Sequence, residues 1–314
     1  LTRLTGSHRT RIARSMDKRD HIDLFGAVML TGFSLLLAFN QVVIKVTNGG
    51  LQPVFFAGLR SLGAVLCIWL WLWWRGIPRD WGGLRVRGAG YAIGAIFAFE
   101  FLCLFIALDL TTVARTSVLF YAMPVWMALG AHLFVPGDRL TAPRIAGLSL
   151  SVAGVALAML GRNEGVGSLW GDLAAVGASI GWAAAGLMVK ASPLRTIRPE
   201  MQLMWQVAVS APILILIAPL FGDLVRDLQP IHLAGLAFQI VVVVSAGFIL
   251  WFWLMSLYPA SGVASFSFLA PVFGVFLGWW LLDEEVTPTL IGALALVASG
   301  IVLINRPAKR RPAG

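Results

Sequence analysis

The chain is 314 residues long, 59% hydrophobic and only 12% charged, with a mean hydropathy of +0.84. Soluble domains carry roughly 25% charged residues, so this composition excludes an ordinary water-soluble fold and makes lipid the main solvent. The net charge of +9 does not imply nucleic acid, because the basic residues gather at segment ends, and the two cysteines, Cys67 and Cys103, lie inside apolar runs that suit packing rather than a disulfide or a metal site.

Residues 1–15 precede Met16 and read as a vector-derived leader. With no cleavable signal evident, the first apolar segment is expected to stay in the membrane. A spanning helix needs about 20 mostly apolar residues. Ten such segments follow, at 22–45, 53–74, 88–108, 111–134, 143–161, 168–190, 200–221, 231–256, 260–282 and 287–305. Thr47-Asn-Gly-Gly50 and Arg75-Gly-Ile-Pro-Arg-Asp80 punctuate them, and Tyr258-Pro-Ala-Ser-Gly262 is the one break between the eighth and ninth. The expected class is an all-α integral membrane protein, with a five-helix repeat at 16–162, a second at 163–306 and a basic cytoplasmic tail at 307–314.

An excess of lysine and arginine marks the cytoplasmic side of a membrane protein. With the N-terminus inside, that side holds Arg75, Arg79, Arg85, Arg87, Arg139, Arg144, Lys190, Arg195, Arg198 and the tail. The other side holds Lys45, Arg115, Arg162 and Arg226, of which Lys45 and Arg115 are read as lying within helices, with Arg115 shallow enough to snorkel outward. Both termini are then cytoplasmic. Five helices per half is an odd number, so the second half runs inverted to the first, which puts a substrate site near the bilayer midplane between them.

The sequence also repeats itself. Leu119-Phe-Tyr-Ala-Met-Pro-Val-Trp-Met-Ala-Leu-Gly130 matches Phe266-Ser-Phe-Leu-Ala-Pro-Val-Phe-Gly-Val-Phe-Leu-Gly278, and an acidic residue, Asp138 or Glu285, follows each proline by 14 positions. A duplicated membrane unit is the usual mark of a transporter. Pro124 and Pro271 are the expected bends of the fourth and ninth helices. The G-x-x-x-G pairs Gly90/Gly94, Gly177/Gly181 and Gly274/Gly278 suit close helix packing. The middle one also spells the hydrolase elbow G-x-S-x-G, but within a spanning helix it lacks the strand–turn–helix that motif needs, so an enzyme is not expected.

Ionisable groups at depth are costly in lipid and face a cavity or a partner. Glu100 is the carboxylate read as lying well inside a segment, and Arg60 shares its depth, roughly 12 Å below the outer boundary at 1.5 Å per residue. The two either pair with each other or line a polar cavity. Asn40 lies at comparable depth. Trp69, Trp71, Trp73, Trp74, Trp279 and Trp280 read as interfacial anchors, whereas Trp182, Trp205, Trp251 and Trp253 lie deeper and either pack or line a cavity. His132 and His232 sit near segment ends. No metal-ligand spacing and no P-loop is present, so neither a metal, another cofactor nor an ATPase subunit is expected.

These features resemble the drug/metabolite transporter superfamily in its ten-helix EamA-type form, over nearly all of residues 20–306. The carriers of the likeness are Asn40 to Lys45, Pro53 to Arg60 and the two proline-centred repeats. Phe99-Glu-Phe-Leu-Cys-Leu-Phe-Ile-Ala-Leu108, Gly181-Trp-Ala-Ala-Ala185 and, more weakly, Gly247-Phe-Ile-Leu-Trp-Phe-Trp253 are similar to the YddG-type aromatic amino-acid exporters within it. The resemblance implies alternating-access export of amino acids and related small metabolites across a bacterial inner membrane; a broader drug or metabolite exporter is the runner-up, and a channel a further alternative. It carries the helix-3 carboxylate over to Glu100 and the helix-6 tryptophan to Trp182, with Phe99 standing where such exporters tend to have tyrosine. A substrate ammonium would need Glu100, its carboxylate Arg60, Asn40 or an interrupted helix, and its side chain apolar walls such as Phe97, Phe99, Tyr121, Trp182 or Trp253.

The topology is open to direct measurement. Cysteines introduced near Arg79 and near Gly165 should label from outside intact cells at the second position and not the first; the opposite preference would overturn the orientation.

Overall fold

The computed structural model describes residues 22–135, 140–161, 167–258, 266 and 268–305. Among them the regular structure is helical, with one isolated antiparallel bridge between Leu51 and Val225. In chain order the helices are α1 (Leu24–Thr47), α2 (Pro53–Trp74), α3 (Leu84–Leu110), α4 (Val113–Phe120), α5 (Met123–Phe134), α6 (Ala142–Leu160), α7 (Leu169–Ala191), α8 (Pro199–Ile217), α9 (Pro230–Phe238), α10 (Phe248–Leu257), α11 (Leu269–Leu282) and α12 (Pro288–Ile304). Short 3-10 turns cover Pro193–Thr196 and Ala218–Phe221, and a π-helical stretch, Gln239–Gly247, joins α9 to α10. Eight helical stretches are long and apolar enough to cross a membrane, with α4–α5 forming one of them; α11 and α12 are shorter apolar helices.

The helix starts follow from local chemistry. A side-chain oxygen of Asp23, Gln52, Thr112, Ser168 and Thr287 accepts a first-turn N–H. That satisfies donors which have no intrahelical partner and which lipid would leave bare. Proline, whose missing N–H costs nothing in the first turn, opens α2, α8, α9 and α12. Two segments are interrupted, the first beside an expected bend and the second where the sequence suggests a continuous helix. The stretch 111–134 is divided at Tyr121-Ala122, just before Pro124, and 231–256 passes through the π segment. Asp138, Arg139, Arg162, the leader 1–15, the 307–314 tail and the break at Pro259 to Gly262 lie outside the described residues.

Glycines set the helix crossings. A Cβ on Gly147 would lie 2.7 Å from the Gly300 carbonyl, and one on Gly154 would lie 2.8 Å from that of Ala293, so α6 and α12 meet backbone to backbone. Gly58 brings α2 against α8 at Ile215, and Gly90 and Gly94 bring α3 against α8 at Trp205 and Val209. At Gly181 a Cβ would lie 2.9 Å from that of Glu100, and Gly274 meets Ser117, which packs α7 on α3 and α11 on α4. All three G-x-x-x-G pairs therefore lie at helix crossings. α1 also packs on α11, as α7 does on α4 and α5. The largest core runs through Phe56, Phe97, Phe101, Phe105, Phe120 and Tyr121. One end of the bundle, here termed the rim, carries the α1–α2, α3–α4, α8–α9 and α11–α12 connections.

Gly147→Val should lower thermal stability in detergent by about 1–3 kcal/mol, because the obstructing atoms are backbone and cannot swing aside. At Gly88 an added methyl group would meet nothing within 4 Å, so alanine should be tolerated there without loss.

Candidate functional site

Counting inward from the rim, Asn40 and Gln41 on α1, Arg60 on α2, Glu100 on α3, Ser117 on α4, Tyr121 just beyond it and Gln239 at the start of the π segment share one layer. At 1.5 Å per residue they lie roughly 6–15 Å below the rim. Each of these side chains is buried. In a low-dielectric interior a buried polar atom is costly unless it finds a partner, yet this layer is incompletely paired. Ser117 Oγ donates to Gln41 Oε1 at 2.7 Å, while Gln41 Nε2 has no partner. Gln239 Nε2 donates to the Asn40 side-chain oxygen, while Gln239 Oε1 has none.

The two charges are the centre of this pattern. Arg60 is 3% exposed and Glu100 1% exposed, and they are near enough for their charges to interact. No ion pair within 4.0 Å joins them among the described residues. Arg60 Nε and Nη1 and Glu100 Oε1 lack hydrogen-bond partners. The guanidinium instead lies over the Phe101 ring, 4.0 Å from its centroid, with Phe105 at 5.8 Å. Such cation–π contacts hold an arginine without consuming its N–H donors. The arrangement leaves a cation and an anion in one buried layer, each with capacity for a third group.

Aromatic side chains wall the layer. Trp182 follows Gly181, the residue seated on Glu100, and meets Phe120 edge-on at 5.8 Å; Phe120 meets Tyr121 at 5.2 Å. Phe97 is buried and packs on Phe101 at 4.4 Å. Phe99 and Trp253 stand apart. Phe99 is 50% exposed on the outer face of α3, and Trp253 is 37% exposed and meets Phe25, at the α1 end remote from Asn40. Pro124 sits in the first turn of α5, directly after the α4–α5 break, and Pro271 in the first turn of α11. Among the described residues no group of three or more His, Cys, Asp or Glu could hold a metal ion.

Sequence reasoning missed Gln41, Ser117, Gln239 and Phe120. The available signal was weak: an isolated glutamine in the apolar run Leu236-Ala-Phe-Gln239-Ile, and a glutamine beside Asn40. One reading is corrected. Arg115 does not snorkel outward; it is 4% exposed and forms a two-point bond to Asp172, which is fully buried in the first turn of α7. Asp172 also accepts from Thr111 Oγ1, and Arg115 donates to the Ala158 carbonyl, so each member of the buried pair has a partner beyond the other. Elsewhere on the rim, Arg226 grips Asp109 through both terminal nitrogens and donates to the Asn48 carbonyl. Hydrogen bonding to Asp109 raises the Arg226 pKa.

Residues 24–160 and 169–306 each match the EamA-like transporter family. A Bacillus subtilis (strain 168) protein named "Uncharacterized transporter YvbV" is 26% identical over 298 residues, covering 91% of this chain and 93% of its own. An Escherichia coli (strain K12) protein named "Probable amino-acid metabolite efflux pump" is 26% identical over 276 residues, covering 84% of this chain and 89% of its own. A solved crystal structure shares the fold, with a TM-score of 0.62 at 21% identity over 90% of this chain and 96% of that one.

Because the Arg115–Asp172 pair is buried and closed, Asp172→Asn should strand the guanidinium and cost about 3–5 kcal/mol of stability. The double variant Arg115→Met/Asp172→Leu should recover most of that loss in thermal unfolding in detergent.

Proposed function

The chain belongs to the EamA-like transporter family, and from that premise we propose that it exports amino acids, aromatic ones included, and related small metabolites across a bacterial inner membrane. The observation that carries the reading is the unpaired Arg60–Glu100 couple beside Trp182 and Phe120. A zwitterion offers what each charge lacks. Its ammonium takes Glu100 as counter-ion, its carboxylate takes the free N–H groups of Arg60, with Asn40 alongside, and Phe97, Tyr121, Phe120 and Trp182 form the wall for its side chain. Phe99 and Trp253 are left out of this site. Relatives named as amino-acid metabolite efflux pumps favour the same substrate class.

In this reading α11 and α12 complete a set of ten spans, and both termini are cytoplasmic. The reciprocal packing supports two inverted halves. α1 lies on α11 as α7 lies on α4 and α5, while α2 meets α8 and α6 meets α12, each helix facing its counterpart in the other half. Alternating access is then a rocking of one half on the other, with bends at the Tyr121-Ala122 break before Pro124 and at Pro271.

The test is Glu100→Gln in reconstituted protein, with L-phenylalanine uptake and thermal stability measured on the same preparation. The amide keeps the shape but removes the charge, and a charged hydrogen bond is worth roughly 1.5–3 kcal/mol, so apparent affinity should fall about ten- to hundred-fold with stability nearly intact. Wild-type uptake would end the role of Glu100. Loss of stability together with uptake would identify a structural Arg60–Glu100 partnership instead.

A further inference from the structure

α4 is only eight residues long, and every one of them is buried. It places Ser117 against Gln41 and Phe120 against Trp182 and ends at Tyr121. Its position therefore sets the position of much of the site. What holds its N-terminus is a side chain from the other half of the molecule. Glu284, in the α11–α12 connection, accepts from Val113 N through Oε1 at 2.7 Å and from Ala114 N through Oε2 at 2.8 Å. Thr112 Oγ1 takes the next donor, Arg115 N, at 3.1 Å, so the first-turn amides of α4 are covered by one residue of its own and one borrowed.

The local sequence is shaped for that reach. Asp283 adopts a left-handed conformation, φ 51°, which turns the chain back after α11. Glu284 N then donates to the Gly278 carbonyl at 3.2 Å. Gly278 has no side chain where a Cβ would meet both the Glu284 carboxylate and, at 3.2 Å, Ala114 N. Lys45 adds a positive charge nearby while its Nζ donates to the Thr111 carbonyl at 2.7 Å, the last turn before α4.

We propose that Glu284 is a positioning residue for transport, a latch between the halves that holds the α4 half-helix in the closed arrangement at the rim and must let go for the rim to open. The proposal rests on the reading of the chain as a two-half transporter, but not on what it carries. When the latch releases, α4 has an uncovered N-terminus and a ready bend at Tyr121-Ala122, so its Thr116 hydroxyl, buried and without a partner here, becomes reachable from water.

The experiment uses full-length protein in proteoliposomes, with Cys67→Ala and Cys103→Ala removing the native thiols. Thr116→Cys reports on α4, and Ser151→Cys, equally buried at the α6–α12 crossing, reports on the bundle as a whole. Reaction with a membrane-impermeant maleimide is timed without substrate. Glu284→Gln should speed Thr116→Cys labelling roughly tenfold or more, the equivalent of one charged hydrogen bond. Ser151→Cys should remain slow, and Asp283→Gly, which keeps the turn and the carboxylate, should leave both rates unchanged. An unchanged Thr116→Cys rate in both Glu284→Gln and Glu284→Ala would overturn the latch. So would a parallel rise at Ser151→Cys, which would mean general loosening. Because no substrate is present, a failed latch leaves the Glu100 result standing, and a failed Glu100 result leaves the latch standing.

Discussion

Within hydrocarbon there is no water to complete a hydrogen bond, so every backbone and side-chain polar group must be satisfied by the protein or remain as a standing cost. Most of this fold meets that condition with local means: capping side chains, prolines that remove a donor where none is wanted, and glycines that bring backbones together. Arg115 and Asp172 meet it in the most demanding form. Two full charges are buried and bonded to each other, and Thr111 and the Ala158 carbonyl add a further bond to each. The layer around Arg60 and Glu100 is built from the same residue types at similar depth and is left open. The contrast between a closed pair and an open one, within a single bundle, is what separates structure from site here.

Much of the architecture was legible because lipid imposes it. Segment lengths, the glycine pairs at crossings and the interruption ahead of Pro124 all follow from rules that hold residue by residue. That Arg60 and Glu100 share a level in the bundle was legible for the same reason, since position along a helix converts directly into distance along its axis. Which way a side chain points was harder. α3 is apolar on every side, so nothing in its pattern distinguishes the buried Phe97 from the half-exposed Phe99. The same holds for Trp253, set among Phe248, Ile249, Leu250 and Trp251. In water a polar stripe marks the outer face of a helix; in lipid the outer face is apolar too, and that marker vanishes.

Asp172 and Gln239 were missed for different reasons. An acidic residue in the first turn of a helix looks like an ordinary partner for the helix dipole, and nothing local announces an arginine 57 positions away in sequence. The π segment is invisible to periodicity because Ile240 and the four valines that follow it fit any helical period. π-turns recur at functional sites, and this one begins at the residue that reaches across to Asn40.

The short α4 has a consequence for how the molecule holds together as a single chain. Its first amides are covered by a carboxylate encoded some 170 positions later, and its one charge is neutralised from α7. Cut between residues 161 and 167, the N-terminal fragment would carry an uncapped half-helix and a bare guanidinium. The C-terminal fragment would keep two carboxylates with nothing to bind. Neither piece is a finished protein. Whatever the ancestry of the duplication, the two copies have since become dependent on each other's side chains, and insertion into the membrane is complete only when the last of them arrives.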